Sequence, residues 1–511
     1  MAQEGSVGDS RPSIAQSSKW TLFGTVLSKP VQLATNVLLA RVLGPAGFGV
    51  LGLANTTALA FGGVASMGLN DAATKFIAEH YRRDSARGAA ISSLVFSTLV
   101  GFCGIFFLAA WFTRESWGQR VFHGAISDST VALCLGLGFL NVLLSFSNSA
   151  FSGLQNFRAA MSLLLLQSIL LLCAGGMLGY LFGTTGAQWG YLLSAFGCVA
   201  WGVVRLRRID RRLLAVPARA DLRDLPRLLH FGAPSWLAAL FVQPLNLVAL
   251  AYLAQQSGGA HDVGLFNSAN GLKMLVAVIP GIVGTVIGPA IFEEAGVHGH
   301  PPAYRKLLGD SFAALGFLTV PLTIGLLFLS EPLFRIYGSA YEGSHFLFVP
   351  LAAGVAISLM GAPCQFALFA SNRTWWLLGM TALKFALLIL LVWWWVPYFM
   401  AGGLAWATAV ADAVYTVAMV EVAVRSGAVP PGTSRQFYKY CLVLCGVLAL
   451  AWTLPSVMLW VLALPFALGT AYVMVRRRPA LIDWILSATP LTLQPYVRRI
   501  LSLITRGTVV R

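Results

Sequence analysis

Lysine and amide side chains recur inside stretches that are otherwise too apolar to hold them. In the run 20–41, Thr25, Lys29, Gln32 and Asn36 fall at i, i+4, i+7 and i+11, one face of a helix. Asn55 lies in the run 46–69, Gln243 and Asn246 in 229–254, and Asn267, Asn270 and Lys273 in 263–291. A lysine at the centre of a bilayer costs about 2.5–3.5 kcal/mol, so polar groups at that depth usually face a wet cavity or a partner. Two lysines, Lys29 and Lys273, suit a cavity that receives an anion such as a diphosphate, with the amides as its neutral lining. Local carbonyls, or snorkelling to an interface, are the plainer account of each lysine. Lys384 and Asp412, in the runs 374–397 and 401–424, read as a structural ion pair. Asp412 alone could instead hold a proton or sodium. No G-x-x-x-x-G-K-[ST] loop, His/Cys metal spacing or Ser/His/Asp arrangement is present, so no catalytic residue, metal or cofactor is expected.

These residues need membrane-spanning elements to position them. Of 511 residues, 57% are hydrophobic and 11% charged, far below the quarter charged that soluble domains carry. Fourteen apolar runs approach the length of a spanning helix: 20–41, 46–69, 89–111, 129–152, 159–182, 186–204, 229–254, 263–291, 308–329, 345–370, 374–397, 401–424, 438–453 and 456–475. The predicted fold is an all-α polytopic membrane protein. A tail 1–19 precedes a first lobe 20–204, a basic linker 205–228 and a second lobe 229–425. Two appended spans cover 438–475, and an amphipathic tail 476–511 follows. Residues 1–18 lack an apolar core, so no cleavable signal is expected. The seven cysteines all fall inside spans and suggest buried small side chains rather than disulfides.

The net charge of +16 follows the loops. With the N-terminus inside, 28 of the 35 Lys+Arg lie on the cytoplasmic side, which fixes the orientation and puts both termini in the cytoplasm. A basic face against anionic lipid accounts for the charge without nucleic acid. The chain also repeats itself. A shift of 214 lays Pro30-Val31-Gln32-Leu33 on Pro244-Leu245-Asn246-Leu247, and after one insertion a shift of 215 lays Gly49 on Gly264, Asn55 on Asn270 and Arg158 on Arg373. Lys29 and Lys273 have uncharged counterparts, Gln243 and Ala58, so the basic pair is not a by-product of duplication. Six helices per repeat give two lobes in the same orientation, a transporter layout with the substrate site between them.

The segments LLARVLGPAGFG at 38–49, MGLNDAATKFIAEH at 67–80 and FSGLQNFR at 151–158 resemble the Wzx-type polysaccharide flippases, of the multidrug/oligosaccharidyl-lipid/polysaccharide exporter superfamily. The resemblance implies two lobes forming a V, with helices one and eight framing a portal to the membrane. It implies transport of a polyprenyl-diphosphate-linked oligosaccharide from the cytoplasmic to the periplasmic leaflet of the inner membrane. Membrane lipid and a glycan polymerase or other export machinery are the expected partners. Three other readings stay open: a multidrug or organic-cation antiporter of that superfamily, a membrane-embedded glycan polymerase or ligase, and a non-transporting scaffold. An antiporter needs acidic cavity residues, for which Asp412 is the candidate. A polymerase needs a large external loop, and 112–128 is short.

Overall fold

The computed structural model describes residues 14–81, 84–115, 128–215, 221–295, 302–371, 373–432 and 434–453. Among them the regular structure is helical, with no strand. The first half of the chain holds α1 (Ile14–Ala65), α2 (Leu69–His80), α3 (Ser85–Phe112), α4 (Asp128–Gly153), α5 (Phe157–Leu170) and α6 (Gly176–Ile209). The second half holds α7 (Leu225–Ala254), α8 (Gly259–Ala295), α9 (Pro302–Phe328), α10 (Ser330–Tyr337), α11 (His345–Ala370) and α12 (Thr374–Arg425), and α13 (Arg435–Thr453) follows. Helices cover the first thirteen apolar runs. The fourteenth, 456–475, and the amphipathic tail lie outside the described residues.

Three of these helices run through a sharp turn, and two of them, α1 and α12, join two spans each. α1 breaks at Gly44 (φ 64°), α6 at Gly183 (φ 64°) and α12 at Met400 (φ 48°). At the first, Pro45 starts the second span where its missing N–H costs nothing, and glycine reaches a left-handed φ freely. Met400 has no such freedom, and a conformation of this kind costs of order 1–3 kcal/mol. The Gly44 turn and the Gly259 turn before α8 (φ 54°) mark one end of the molecule, here called the hairpin face. The basic linker marks the other.

The bilayer can be placed from α12. Trp375 and Trp376 are exposed near its start, and Trp393, Trp394, Tyr398 and Phe399 are exposed near the Met400 turn. From Trp376 to Trp393 the helix rises about 26 Å, close to the hydrocarbon thickness, and aromatic side chains collect at both membrane interfaces. Trp111, Phe112, Tyr180 and Phe182 extend the belt on the hairpin face. Lys384 lies midway between the two belts. The chain is therefore a multi-pass membrane protein whose exposed apolar surface faces lipid.

α8 carries the packing between the halves. It lies against α1 over a long seam and against α9 and α11 within its own half. Close approach depends on glycine. A Cβ on Gly49 would collide with the Ala260 carbonyl, and one on Gly264 with the Pro45 carbonyl. Residues 45 and 260, and 49 and 264, are duplicate positions at the shift of 215, so this contact is symmetric about an axis between the halves. Gly52 meets its own counterpart there, Asn267.

Candidate functional site

The seam between α1 and α8 places Asn36 and Asn267, two of the polar residues singled out by sequence, between the halves. Asn36 and Gly271 share a level, because a Cβ on Gly271 would stand 3.4 Å from Asn36 Nδ2. The first span of α1 and α8 run antiparallel here. At 1.5 Å per residue, Lys29 lies about 10 Å and Lys273 about 3 Å toward the linker face from that level. The axial offset between the two positions is therefore roughly 7 Å.

Lys29 belongs to a chain of neutral partners. Its Nζ donates to Gln32 Oε1 at 3.1 Å, Gln32 Nε2 donates to Ser168 Oγ at 3.3 Å, and Ser168 Oγ donates to the Leu164 carbonyl at 3.0 Å. Ser168, on α5, is buried. The chain orients the lysine and leaves its charge uncompensated by any carboxylate among the described residues.

The second half holds a cluster of three charges. Lys384 Nζ and Asp412 Oδ1 form an ion pair at 2.5 Å across the α12 hairpin. The Lys384 ammonium also stands 5.3 Å from the Phe385 ring and 5.5 Å from the Tyr415 ring, within cation–π range. Lys273, half-buried on α8, lies within electrostatic reach of Asp412 and of Lys384. Lys384 is the lysine paired with Asp412, and Lys273 adds a second positive charge in the surroundings.

The remaining candidates divide. Asn267 Nδ2 is buried against Gly52 without a hydrogen-bond partner. Gln243, on α7, packs against Gly63, which brings it to the second span of α1. Asn270 is half-buried on α8, and Asn246 is exposed on α7. Asn55 lies within the first half, in a small pocket with Gln188, Tyr191 and Cys134. The structure thus brings Lys273 to the Lys384–Asp412 pair and gives Asn55 a neighbourhood of its own.

Three contributors have little signal in the sequence. Ser168 is a hydroxyl in a leucine run, indistinguishable from a packing serine. Tyr337 sits on α10, too short and amphipathic for a span, yet its buried hydroxyl points at the Gly271 level and has no partner. Gln188, whose Oε1 is buried and unpartnered, could have been found as a polar residue inside the run 186–204.

The halves meet at both faces. On the hairpin face Arg41 Nε donates to the Ile336 carbonyl at 2.6 Å, and Tyr341 Oη to the Ala40 carbonyl at 3.2 Å. On the linker face Trp236 Nε1 donates to the Val64 carbonyl at 2.8 Å, and the backbones of Gly68 and Gly232 touch. There Lys75 lies 4.1 Å from the Phe231 ring, and Arg87 pairs with Asp224 at 2.7 Å. In the linker, partial burial pushes the Asp210 carboxyl up, but hydrogen bonds from Arg212 and its charge prevail and hold it below its ordinary value.

Comparison with known proteins agrees with this architecture. A family described as "Polysaccharide biosynthesis protein" matches residues 14–294. The chain is 23% identical over 374 residues to the EPS I polysaccharide export inner membrane protein EpsE of Ralstonia solanacearum, covering 71% of this chain and 83% of that one. Among solved structures, the lipid II flippase MurJ in an inward closed conformation superposes with a TM-score of 0.67 at 14% identity. That match covers 90% of this chain and 99% of MurJ. An inward-facing multidrug resistance MATE family transporter of the MOP superfamily superposes with a TM-score of 0.63 at 16% identity, covering 80% and 98%. The fold is that of these transporters, and with the family match extending over more than half its length the chain belongs to the polysaccharide biosynthesis protein family.

Proposed function

We propose that the protein flips a polyprenyl-diphosphate-linked oligosaccharide from the cytoplasmic to the periplasmic leaflet of the inner membrane, by alternating access, for polysaccharide export. The observation that carries this reading is the charge at membrane depth. Among the described residues, the mid-span lysines Lys29, Lys273 and Lys384 are set against one mid-span carboxylate, Asp412, which leaves two positive charges in excess. A diphosphate linked on both sides carries two negative charges, one on each phosphate. The Ralstonia relative supports polysaccharide export and the inner membrane by name, and the MurJ likeness supports a fold able to pass a lipid-linked cargo.

Lys29 and Lys273 hold the diphosphate from opposite sides of the α1–α8 seam. Gln32, Asn36, Gln243, Asn246, Asn267 and Asn270 offer amides to sugar hydroxyls, and Asn55 supports the first lobe from within. The lobes 20–204 and 229–425 rock about the linker 205–228, with both termini cytoplasmic and the polyprenyl chain left in lipid. A glycan polymerase on the far side consumes the product and gives transport its direction. An organic-cation antiporter is the second reading, and the MATE likeness favours it in fold. Such a substrate needs an available mid-span carboxylate, whereas Asp412 is already paired with Lys384.

The head-group charge is the test. In proteoliposomes, a glycan on polyprenyl monophosphate, with one charge fewer, is expected to flip roughly tenfold or more slowly than the same glycan on polyprenyl diphosphate. Equal rates would contradict recognition through the diphosphate.

A further inference from the structure

A carboxylate at the centre of a bilayer needs a positive partner, a proton or a bound cation. Asp412 lies at that depth and is buried. Its partner comes from its own helix hairpin: the Lys384 ammonium, at 2.5 Å, enters from the opposite side of the Met400 turn. The rings of Phe385 and Tyr415 complete a cage around the ammonium. Hydroxyls on the neighbouring turns are taken up by backbone and by one another. Thr416 Oγ1 donates to the Asp412 carbonyl at 2.7 Å and meets Ser358 Oγ at 3.3 Å, and Thr381 stands one turn before Lys384. A carboxylate oxygen and aromatic faces, the groups at the ammonium, are ones a monovalent cation would also use.

We propose that Lys384 is a tethered counter-ion: its ammonium fills, between Asp412, Phe385 and Tyr415, the position of a mobile monovalent cation and makes this carboxylate indifferent to sodium. A sodium ion entering the native cluster would have to displace a covalently attached charge and would also meet Lys273, whose field reaches the same site. The pair therefore has a consequence beyond holding α12 together. A sodium gradient has no purchase at Asp412, and any drive for transport must come from elsewhere. The inference concerns the cluster alone and holds whatever the cargo.

Sodium dependence of stability tests it without a transport assay. Because Lys273 also acts electrostatically on this site, the informative variant removes both. Four purified full-length proteins are melted in sodium chloride and in choline chloride at equal ionic strength: native, Lys273→Gln, Lys273→Gln/Lys384→Met, and that double variant with Asp412→Asn. Native protein and Lys273→Gln are expected to melt at the same temperature in both salts. The double variant, with its carboxylate bare, is expected to gain roughly 2 °C or more in sodium, as a ligand that binds only the folded state produces. Adding Asp412→Asn is expected to abolish that gain. A sodium response in the native protein overturns the proposal. So does a double variant that sodium neither stabilises nor recovers.

Discussion

Gly49→Leu and Gly264→Leu are each expected to stop transport while leaving a folded, membrane-inserted protein, and to do so about equally. A side chain at either position meets backbone, the Ala260 carbonyl in one case and the Pro45 carbonyl in the other, so no rotamer change relieves the clash. Overpacking typically costs about 1–3 kcal/mol, and more where only a backbone shift accommodates it. This contact lies between the halves rather than inside one, so the molecule escapes by parting the halves at the hairpin face. At roughly 3 kcal/mol the closed hairpin face becomes about a hundredfold less populated, and a cycle that must pass through it slows accordingly. A cysteine introduced near the hairpin end of the seam, where neither α1 nor α8 has one of its own, should become accessible to a membrane-impermeant thiol reagent in both variants. Because positions 49 and 264 are duplicates, a large effect at one and none at the other would contradict a symmetric seam.

Asp412→Ala is expected to be the most destabilising single substitution in the charge cluster. It leaves Lys384 and Lys273 at membrane depth with no carboxylate between them, and removing one partner of a buried pair costs about 3–5 kcal/mol. Replacing both members, Lys384→Met with Asp412→Leu, should restore most of that loss, since well-packed apolar side chains can substitute for a buried pair at little cost. The measurement is the melting midpoint in detergent, with the yield of monodisperse protein beside it. A double variant as unstable as Asp412→Ala would mean that the stranded Lys273, rather than the broken pair, carries the loss.

Much of the fold was legible because a bilayer leaves few options. Apolar runs of spanning length separated by basic loops have to become helices, and thirteen runs are helices here. The duplication was legible too, since Pro30 and Pro244, or Gly49 and Gly264, stand at a near-constant shift. What the alignment could not convey is that Gly49 and Gly264 face each other's segments across the axis: a shift identifies equivalent residues and says nothing about which surfaces meet. Hydropathy likewise passed over α10, eight residues long, although its Phe334 and Tyr337 are buried and the Ile336 carbonyl binds Arg41 of α1.

The site was legible by residue type and less so by grouping. A polar stripe on one helix face identified Lys29 and Gln32 as neighbours, and the hydrogen bond between them follows from their spacing of three. Lys384 and Asp412 could be matched because they lie on consecutive spans joined by a short turn. Lys273 is more than a hundred residues away from both, on a helix that sequence alone could not place against α12. Asn55 shows the converse. It is the duplicate of Asn270, yet it shares a pocket with Gln188 inside the first half, a neighbour contributed by the fold.

The central claim is that a lipid-linked glycan crosses the membrane through a basic seam shared by α1 and α8. The most direct measurement is flipping of a fluorescent polyprenyl-diphosphate oligosaccharide in proteoliposomes, native protein against Lys29→Gln/Lys273→Gln. The native protein should flip the lipid, and the double variant, folded and equally inserted, should lose about a hundredfold or more with two charge-assisted contacts gone. Equal flipping by the two proteins would contradict the basic seam, and no flipping by the native protein with any diphosphate-linked glycan would contradict the function itself.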